Sequence, residues 1–521
     1  MRLSRPMAAA MTSCTLTVAL GAAGPAIAGP PAAPVSAAAP ASPVTVTISP
    51  ADRLAMPGSP GPQSTAYCEK NYKIACYEPG QIQQAYGIPA LLKAGISGKG
   101  QTIVIVESYG SPTIGHDLAV FDKQFRLPAP PSLRIIAPAG KIPAYTATPD
   151  RVNWAGEATL DVEYAHVMAP GARILLVETP VSETEGTAGF PQIEAAEKYV
   201  ISHHLGSVIS QSFNATEQTF PSRKALMALR SAYIEAARDR VTVLAASGDS
   251  GATNFKLDQT AYYTYPVTAW PATDSLVTAI GGTQLHLNAS GGRTAPDNVW
   301  NDTRNAGANS YINSNSGPNP LAAGGGKSVM FSRPGYQNGV RNIVGARRGI
   351  PDVSMSAACD GAVDVYQSFP GKAAGWYPTC GTSVATPLFA GVVALADQVA
   401  GHPLGLINPA LYTLAAKHAP GIVDIKKGSN TVSFSQGGQT HTVTGFAARP
   451  GYNLASGVGT IYAPLFVREL ASAAGRGYAG HRAAVRQRHV SRPAAAGRGR
   501  RGHGGLPSGS ESRLREPRKA A

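Results

Sequence analysis

Gly381-Thr382-Ser383-Val384-Ala385-Thr386-Pro387 leads directly into a long apolar stretch, which sets a serine at the start of a core helix. A serine hydroxyl is a weak nucleophile at its own pKa and needs a partnered base within hydrogen-bonding reach. No histidine motif of the kind that normally activates such a serine is present. The base must be sought among other residue types.

Glu157-Ala158-Thr159-Leu160-Asp161-Val162-Glu163-Tyr164-Ala165-His166 reads as a helix, with Leu160, Tyr164 and Val167 at helical spacing. Residues four apart share a helix face, so Glu157 and Asp161 project side by side while Glu163 does not join them. Adjacent carboxylates resist ionising together and share a proton, so the pair can serve as base and then as acid. The alternative is the solvated face of an amphipathic helix.

Val241-Thr242-Val243-Leu244-Ala245-Ala246-Ser247 has the β-branched, apolar character of a buried strand, and Gly248-Asp249-Ser250-Gly251 ends it sharply. Asp249 therefore stands at the carboxyl end of a strand, where parallel α/β sheets place their sites. A turn aspartate is the alternative. Further strand candidates at residues 101–107, 173–179 and 207–212 alternate with helical stretches. That alternation implies an α/β fold whose predominantly parallel sheet has helices on both faces.

In order and spacing, the three pieces resemble the sedolisin family, the serine-carboxyl peptidases. The resemblance spans roughly residues 67–464. It includes Pro79-Gly80-Gln81-Ile82, Tyr109-Gly110-Ser111-Pro112, Ala169-Pro170-Gly171-Ala172, Gly324-Gly325-Gly326-Lys327-Ser328 and Pro351-Asp352-Val353-Ser354. It implies a subtilisin-like sheet in a single large catalytic domain and a serine-type peptidase that acts through an acyl-enzyme. By the same resemblance Ser383 is the nucleophile, Glu157 its general base and Asp161 the partner of Glu157. Asp249 is then an oxyanion-hole donor that must carry a proton, which makes acid conditions a requirement.

Two look-alikes fail on context. Gly248-Asp249-Ser250-Gly251-Ala252 resembles the serine loop of chymotrypsin-like peptidases, but their Ala-His-Cys setting is missing, so Ser250 is not expected to be the nucleophile. The Ser383 loop also resembles subtilisins, yet none of His116, His166, His203, His204 or His286 lies in a His-Gly-Thr-His motif. His166 reads as a packed histidine, and His203 and His204 fall near a helix end, where cations are favoured.

The chain has 521 residues, 43% of them hydrophobic and only 15% charged, enough to bury a large core. Arg2 and Arg5 precede an apolar stretch, and Ala26-Ile27-Ala28 before Gly29 is a small-x-small cleavage signal. Residues 1–28 thus read as a signal peptide of a secreted, extracellular protein, and no later stretch is expected to span a bilayer. An Ala- and Pro-rich linker (residues 29–66), the peptidase domain (67–465) and a basic Gly/Arg/Ala-rich tail (466–521) follow. Sedolisins commonly carry a long proregion where this chain has only the linker. Cys14 leaves with the signal, and the other four cysteines are even in number, as export favours. Cys68 with Cys76 and Cys359 with Cys380 is the expected pairing, because sequence-near loops close most readily. Cys380 departs from the family's usual serine.

Asp424-Ile425 and Gly451-Tyr452-Asn453 resemble the family's calcium loop, which implies one Ca2+ ion held by Asp424, Ile425, Arg449, Gly451 and Asn453. Asn453 replaces an acidic ligand and Arg449 a glycine, and the lost charge is expected to weaken binding. Residues 475–521 carry twelve Arg and Lys against two Glu, so ten of the formal net charge of +14 belong to the tail. Such a run reads first as a solvated tail with no partner; the contact open to an exported protein is with anionic cell-surface polymers or lipid headgroups, with no specific nucleic acid. The partners are otherwise a peptide or protein substrate, with the enzyme a monomer. A catalytically silent surface-binding protein on a peptidase fold is the other reading. Phe213-Asn214, where the family has Trp-Gly, leaves cleft specificity open.

Overall fold

The computed structural model describes residues 58–303 and 320–474. Its centre is an eight-stranded sheet built from β1 (Thr102–Ser108), β2 (Leu133–Ile136), β3 (Arg173–Thr179), β4 (Val208–Gln211), β5 (Thr242–Ala246), β6 (Thr278–Gln284), β7 (Asn298–Val299) and β8 (Val353–Ser356). The strand order is β7-β6-β5-β4-β1-β3-β2, with β8 also paired to β6. Every pairing is parallel except β7 with β6. The expected α/β class follows, and the strand candidates fall within a residue or two of the observed elements.

Strand side chains alternate between the two faces. Ile103, Ile105, Val208 and Leu244 join one core with helices α1 (Pro149–Met168) and α4 (Thr382–Ala400). Val104, Val106, Ile209 and Val243 join a second core with α2 (Phe190–Ser202) and α3 (Ser231–Asp239). The first face carries the candidate site, because both helices bearing its residues pack there.

Both helices are more buried than ordinary surface helices. Every α1 residue from Trp154 to Met168 is buried, charged ones included, so the solvated-face alternative for Glu157 and Asp161 does not hold. Glu163 is buried too and accepts a hydrogen bond from the Tyr366 N–H at 3.3 Å. Helix α4 is long and apolar enough to cross a membrane by length and composition, which corrects the expectation that no later stretch is. Its apolar character is explained by enclosure, since all residues from Thr382 to Asp397 are buried inside the protein.

The packed body exceeds the expected domain at both ends. Ser59 pairs with Trp376 through reciprocal backbone hydrogen bonds of 3.1 and 2.9 Å, so the linker's last residues belong to the fold. Residues 463–474 are helical, with Phe466 and Leu470 in the first core, so the tail begins after them. The expected signal peptide and the basic tail from residue 475 lie outside the described residues. The disulfides Cys68–Cys76 and Cys359–Cys380 are formed, as paired from the sequence.

Candidate active site

The carboxyl ends of β1, β4 and β5 face the start of α4. Asp161 reaches this point from α1 through Ser212, Asp249 from the turn after β5 and Ser383 from the first turn of α4, while Glu157, one turn before Asp161, lies near Glu107. Glu157, Asp161 and Ser383 have no exposed surface and Asp249 is 3% exposed, so charge appearing among them would be weakly screened.

Ser212, just beyond β4, ties the serine to the carboxylates. Its hydroxyl donates to Asp161 Oδ2 at 2.7 Å and lies 3.5 Å from the backbone carbonyl of Ser383. That carbonyl is available because Pro387, four residues on, has no N–H to offer it. Asp249 is gripped on the other side. Its Oδ1 accepts from the Thr382 backbone N–H at 2.7 Å and from the Thr382 hydroxyl at 2.6 Å. Gly381, at φ +128°, admits this approach: a Cβ there would stand 2.8 Å from Asp249 Oδ2. The loop is fixed from behind by the Cys359–Cys380 bridge and by the Gly381 N–H bond to Ala357 O at 2.8 Å.

A third carboxyl group, not anticipated from the sequence, joins the pair. Glu107, at the end of β1, has no exposed surface. Burial and the neighbouring charges of Asp161 and Glu157 hold its pKa well above the usual range. Burial likewise pushes Asp161 up to about 8, against hydrogen bonds from Ser212 and Glu107 that favour its ionised form. Two carboxyl groups can meet only with a proton between them; burial raises both, and their shared hydrogen bond raises Glu107 while lowering Asp161, which makes Glu107 the donor and Asp161 the acceptor. The sequence signal for Glu107 is its parity: it shares the strand face of Ile103 and Ile105, which meets α1.

The remaining candidates lie elsewhere. His166 is buried, with Nε2 2.8 Å from Pro128 O and 3.3 Å from Asp122 Oδ1, and burial lowers its pKa to about 4. His203 stacks on Tyr199, His116 meets the Tyr366 ring edge-on, and His286 contacts Asn298. Ser250 follows Asp249 but bridges to Ala322, outside the carboxyl cluster. Phe213 turns into the second core against Phe190, while Asn214 accepts a hydrogen bond from Asn254 at 3.1 Å.

Residues 150–437, which include all four catalytic candidates, match the family model described as the subtilase family. Over 404 residues the chain is 31% identical to kumamolisin of Bacillus sp. (strain MN-32), covering 76% of this chain and 63% of that protein. The chain belongs to the sedolisin family of subtilases. Among other sedolisin-family relatives, sedolisin of Pseudomonas sp. (strain 101) is 30% identical over 280 residues, or 53% of this chain and 44% of that one. Tripeptidyl-peptidase 1 of Homo sapiens is 27% identical over 333 residues, covering 60% of this chain and 51% of that one. The chain thus spans less than two thirds of the length of these relatives. The solved structure of Pseudomonas sedolisin, a serine-carboxyl proteinase complexed with two molecules of pseudo-iodotyrostatin, superposes with a TM-score of 0.62 at 22% identity. It covers 77% of this chain and 99% of that one, and shows the sedolisin fold.

The residues expected to hold calcium do come together, in the loop beside β8. Asp424 Oδ1 accepts the Gly451 N–H at 3.1 Å. The Asn453 side-chain amide donates to Arg449 O at 3.3 Å and to Gly451 O at 3.4 Å. A hard dication takes oxygen ligands, and here an N–H donor faces the carbonyls that would supply them. This donor set does not fit calcium.

Proposed function

We propose that this sedolisin-family chain is a secreted, acid-acting serine-carboxyl peptidase that hydrolyses peptide bonds through an acyl-enzyme on Ser383. The observation that carries the reading is the meeting of three elements at one point. Ser212 links Asp161 to the backbone of Ser383, and Thr382, the residue before the nucleophile, holds Asp249. A serine, a carboxyl cluster and an oxyanion donor in one buried site are what acyl transfer needs when no histidine serves.

In this reading Glu157 takes the proton from Ser383 Oγ as the oxygen attacks the scissile carbonyl carbon. The carbonyl oxygen becomes an oxyanion, and Asp249 donates to it. With Oδ1 accepting from Thr382, Oδ2 is the oxygen that carries the donated proton. Glu157 then protonates the leaving amine, the C–N bond breaks and the acyl group stays on Ser383. Water, deprotonated by Glu157, attacks the ester, and the acid product leaves as Ser383 regains its proton. Asp161, with Glu107 behind it, keeps Glu157 poised between its two states.

Formed disulfides support an oxidising, extracellular location. The basic tail supports an added contact with anionic cell-surface polymers or headgroups. The deciding experiment is mass spectrometry of a protein digest treated with the enzyme at acid pH. Internal cleavages would mark an endopeptidase, and short N-terminal peptides a tripeptidyl-type enzyme. Absence of new termini, with no acyl-enzyme on Ser383, would overturn the reading.

A further inference from the structure

We propose that the loop carrying Asp424, Ile425, Arg449, Gly451 and Asn453 is closed by its own hydrogen bonds and binds no calcium, Asn453 standing in for the ion. The argument turns on which way the Asn453 amide faces. Its Oδ1 accepts from the Ala455 N–H at 3.1 Å, the Ser456 N–H at 3.0 Å and the Ser456 hydroxyl at 3.1 Å. Backbone N–H groups cannot accept, so turning the amide over would set its NH2 against two donors in a site only 1% exposed. The oxygen must face residues 455–456, and the NH2 must face the carbonyls of Arg449 and Gly451.

An ion among those carbonyls would meet two N–H protons. An aspartate could keep the three accepted bonds on one oxygen and turn the other to the cation; an asparagine offers a donor there. Asp424 is the only carboxylate of the five residues. Its Oδ1 accepts from Gly451, and its Oδ2 lies 4.0 Å from the Lys426 ammonium, a cation already beside it. Among the described residues, no group of three or more His, Cys, Asp or Glu side chains gathers elsewhere to hold a metal.

Closure of the loop matters because it clasps β8. Val458 N–H bonds Asp352 O at 2.8 Å, Ser354 N–H bonds Gly459 O at 2.9 Å, and the Ser354 hydroxyl reaches Ser456 O at 3.2 Å. The amide contacts hold the loop in the shape this clasp needs without any dissociable part.

The test compares thermal melting of the full chain in EDTA and in millimolar calcium chloride, with calorimetric titration of calcium chloride alone. The wild type is expected to melt at the same temperature in both and to bind no calcium. Asn453→Asp is expected to gain calcium-dependent stability, about a 100-fold shift of the folding equilibrium at calcium 100 times its Kd. Asn453→Ala should lose stability equally in both media. A wild type that binds one calcium, or whose melting temperature drops in EDTA and recovers with calcium, overturns the proposal. So does a folded Asn453→Asp variant indifferent to calcium, or an Asn453→Ala variant rescued by it.

Discussion

Thr382 donates its backbone N–H at 2.7 Å and its hydroxyl at 2.6 Å to the same oxygen of Asp249, Oδ1. On the proposed reading, the residue next to the nucleophile thereby orients the oxyanion donor, and an asparagine at 249 would inherit that orientation. Asp249→Ala should lower kcat on the order of 10² to 10³-fold, the range for loss of one oxyanion donor. Asp249→Asn should set its carbonyl toward Thr382 and its NH2 where Oδ2 stood, so it should keep part of the rate and lose less of it as pH rises. A wild-type rate that peaks in alkali would contradict the protonated-donor mechanism.

Replacement of the nucleophile separates Ser383 from Ser250. Ser383→Ala should abolish acyl-enzyme formation, read as a mass shift with a slowly turned-over substrate, while circular dichroism stays unchanged. Ser250→Ala should retain substantial activity. Normal turnover by folded Ser383→Ala protein would sink the assignment.

The carboxyl cluster gives a graded series. Glu157→Gln should lose nearly all activity, Asp161→Asn much of it, and Glu107→Gln should move the pH profile more than it moves the maximal rate, since Glu107 acts through Asp161. Glu163→Gln should change activity little, because its contact is with Tyr366 away from the serine. A pH profile unchanged in Glu107→Gln would remove that residue from the network.

Stability should fall as pH rises. Burial pushes Asp161 and Asp364 up to about 8 and Glu178, Glu185 and Asp397 up to about 7. Each folded-state pKa lies above its unfolded value, so the native chain holds more protons than the unfolded one between about pH 4 and 8. The stabilising contribution is full below that window and is lost on passing up through it. Melting temperatures across the window should decline steadily. A flat profile would mean the buried carboxyls find compensation when ionised.

Removal of residues 475–521 should leave the rate on small peptides unchanged and weaken adsorption to anionic vesicles or polymers, with salt erasing the difference. Equal adsorption of both forms would leave the tail without this partner.

Much of the fold is legible because burial writes simple patterns. Thr242–Ala246 is a short apolar, β-rich run ended by a glycine turn, and it is a strand. Thr278–Gln284 is just as central yet carries Gly281 and Gly282, which weaken any strand pattern. Those glycines answer to neighbours invisible in the local sequence, since Cβ atoms there would come within 2.5 Å of Ser354 and 2.8 Å of Ala357 and Trp300. The site divides the same way. Glu157, Asp161, Asp249 and Ser383 stand in motifs, whereas Glu107 is hidden in a hydrophobic strand and acquires its role from a helix some fifty residues on. The charged residues of α1 mislead in the other direction, because carboxylates normally signal solvent and these are enclosed.

The Cys359–Cys380 bridge ends one residue before Gly381 and two before Thr382, which orients Asp249. In a reducing compartment this segment would lose its covalent tie and rest on hydrogen bonds alone, each contributing about 1 kcal/mol net. Full rigidity of the nucleophile loop would then be acquired only on reaching an oxidising medium. On the proposed reading of an exported enzyme, the bridge would tie the firmness of the nucleophile loop to the compartment the protein reaches, leaving it looser in the cell that makes it.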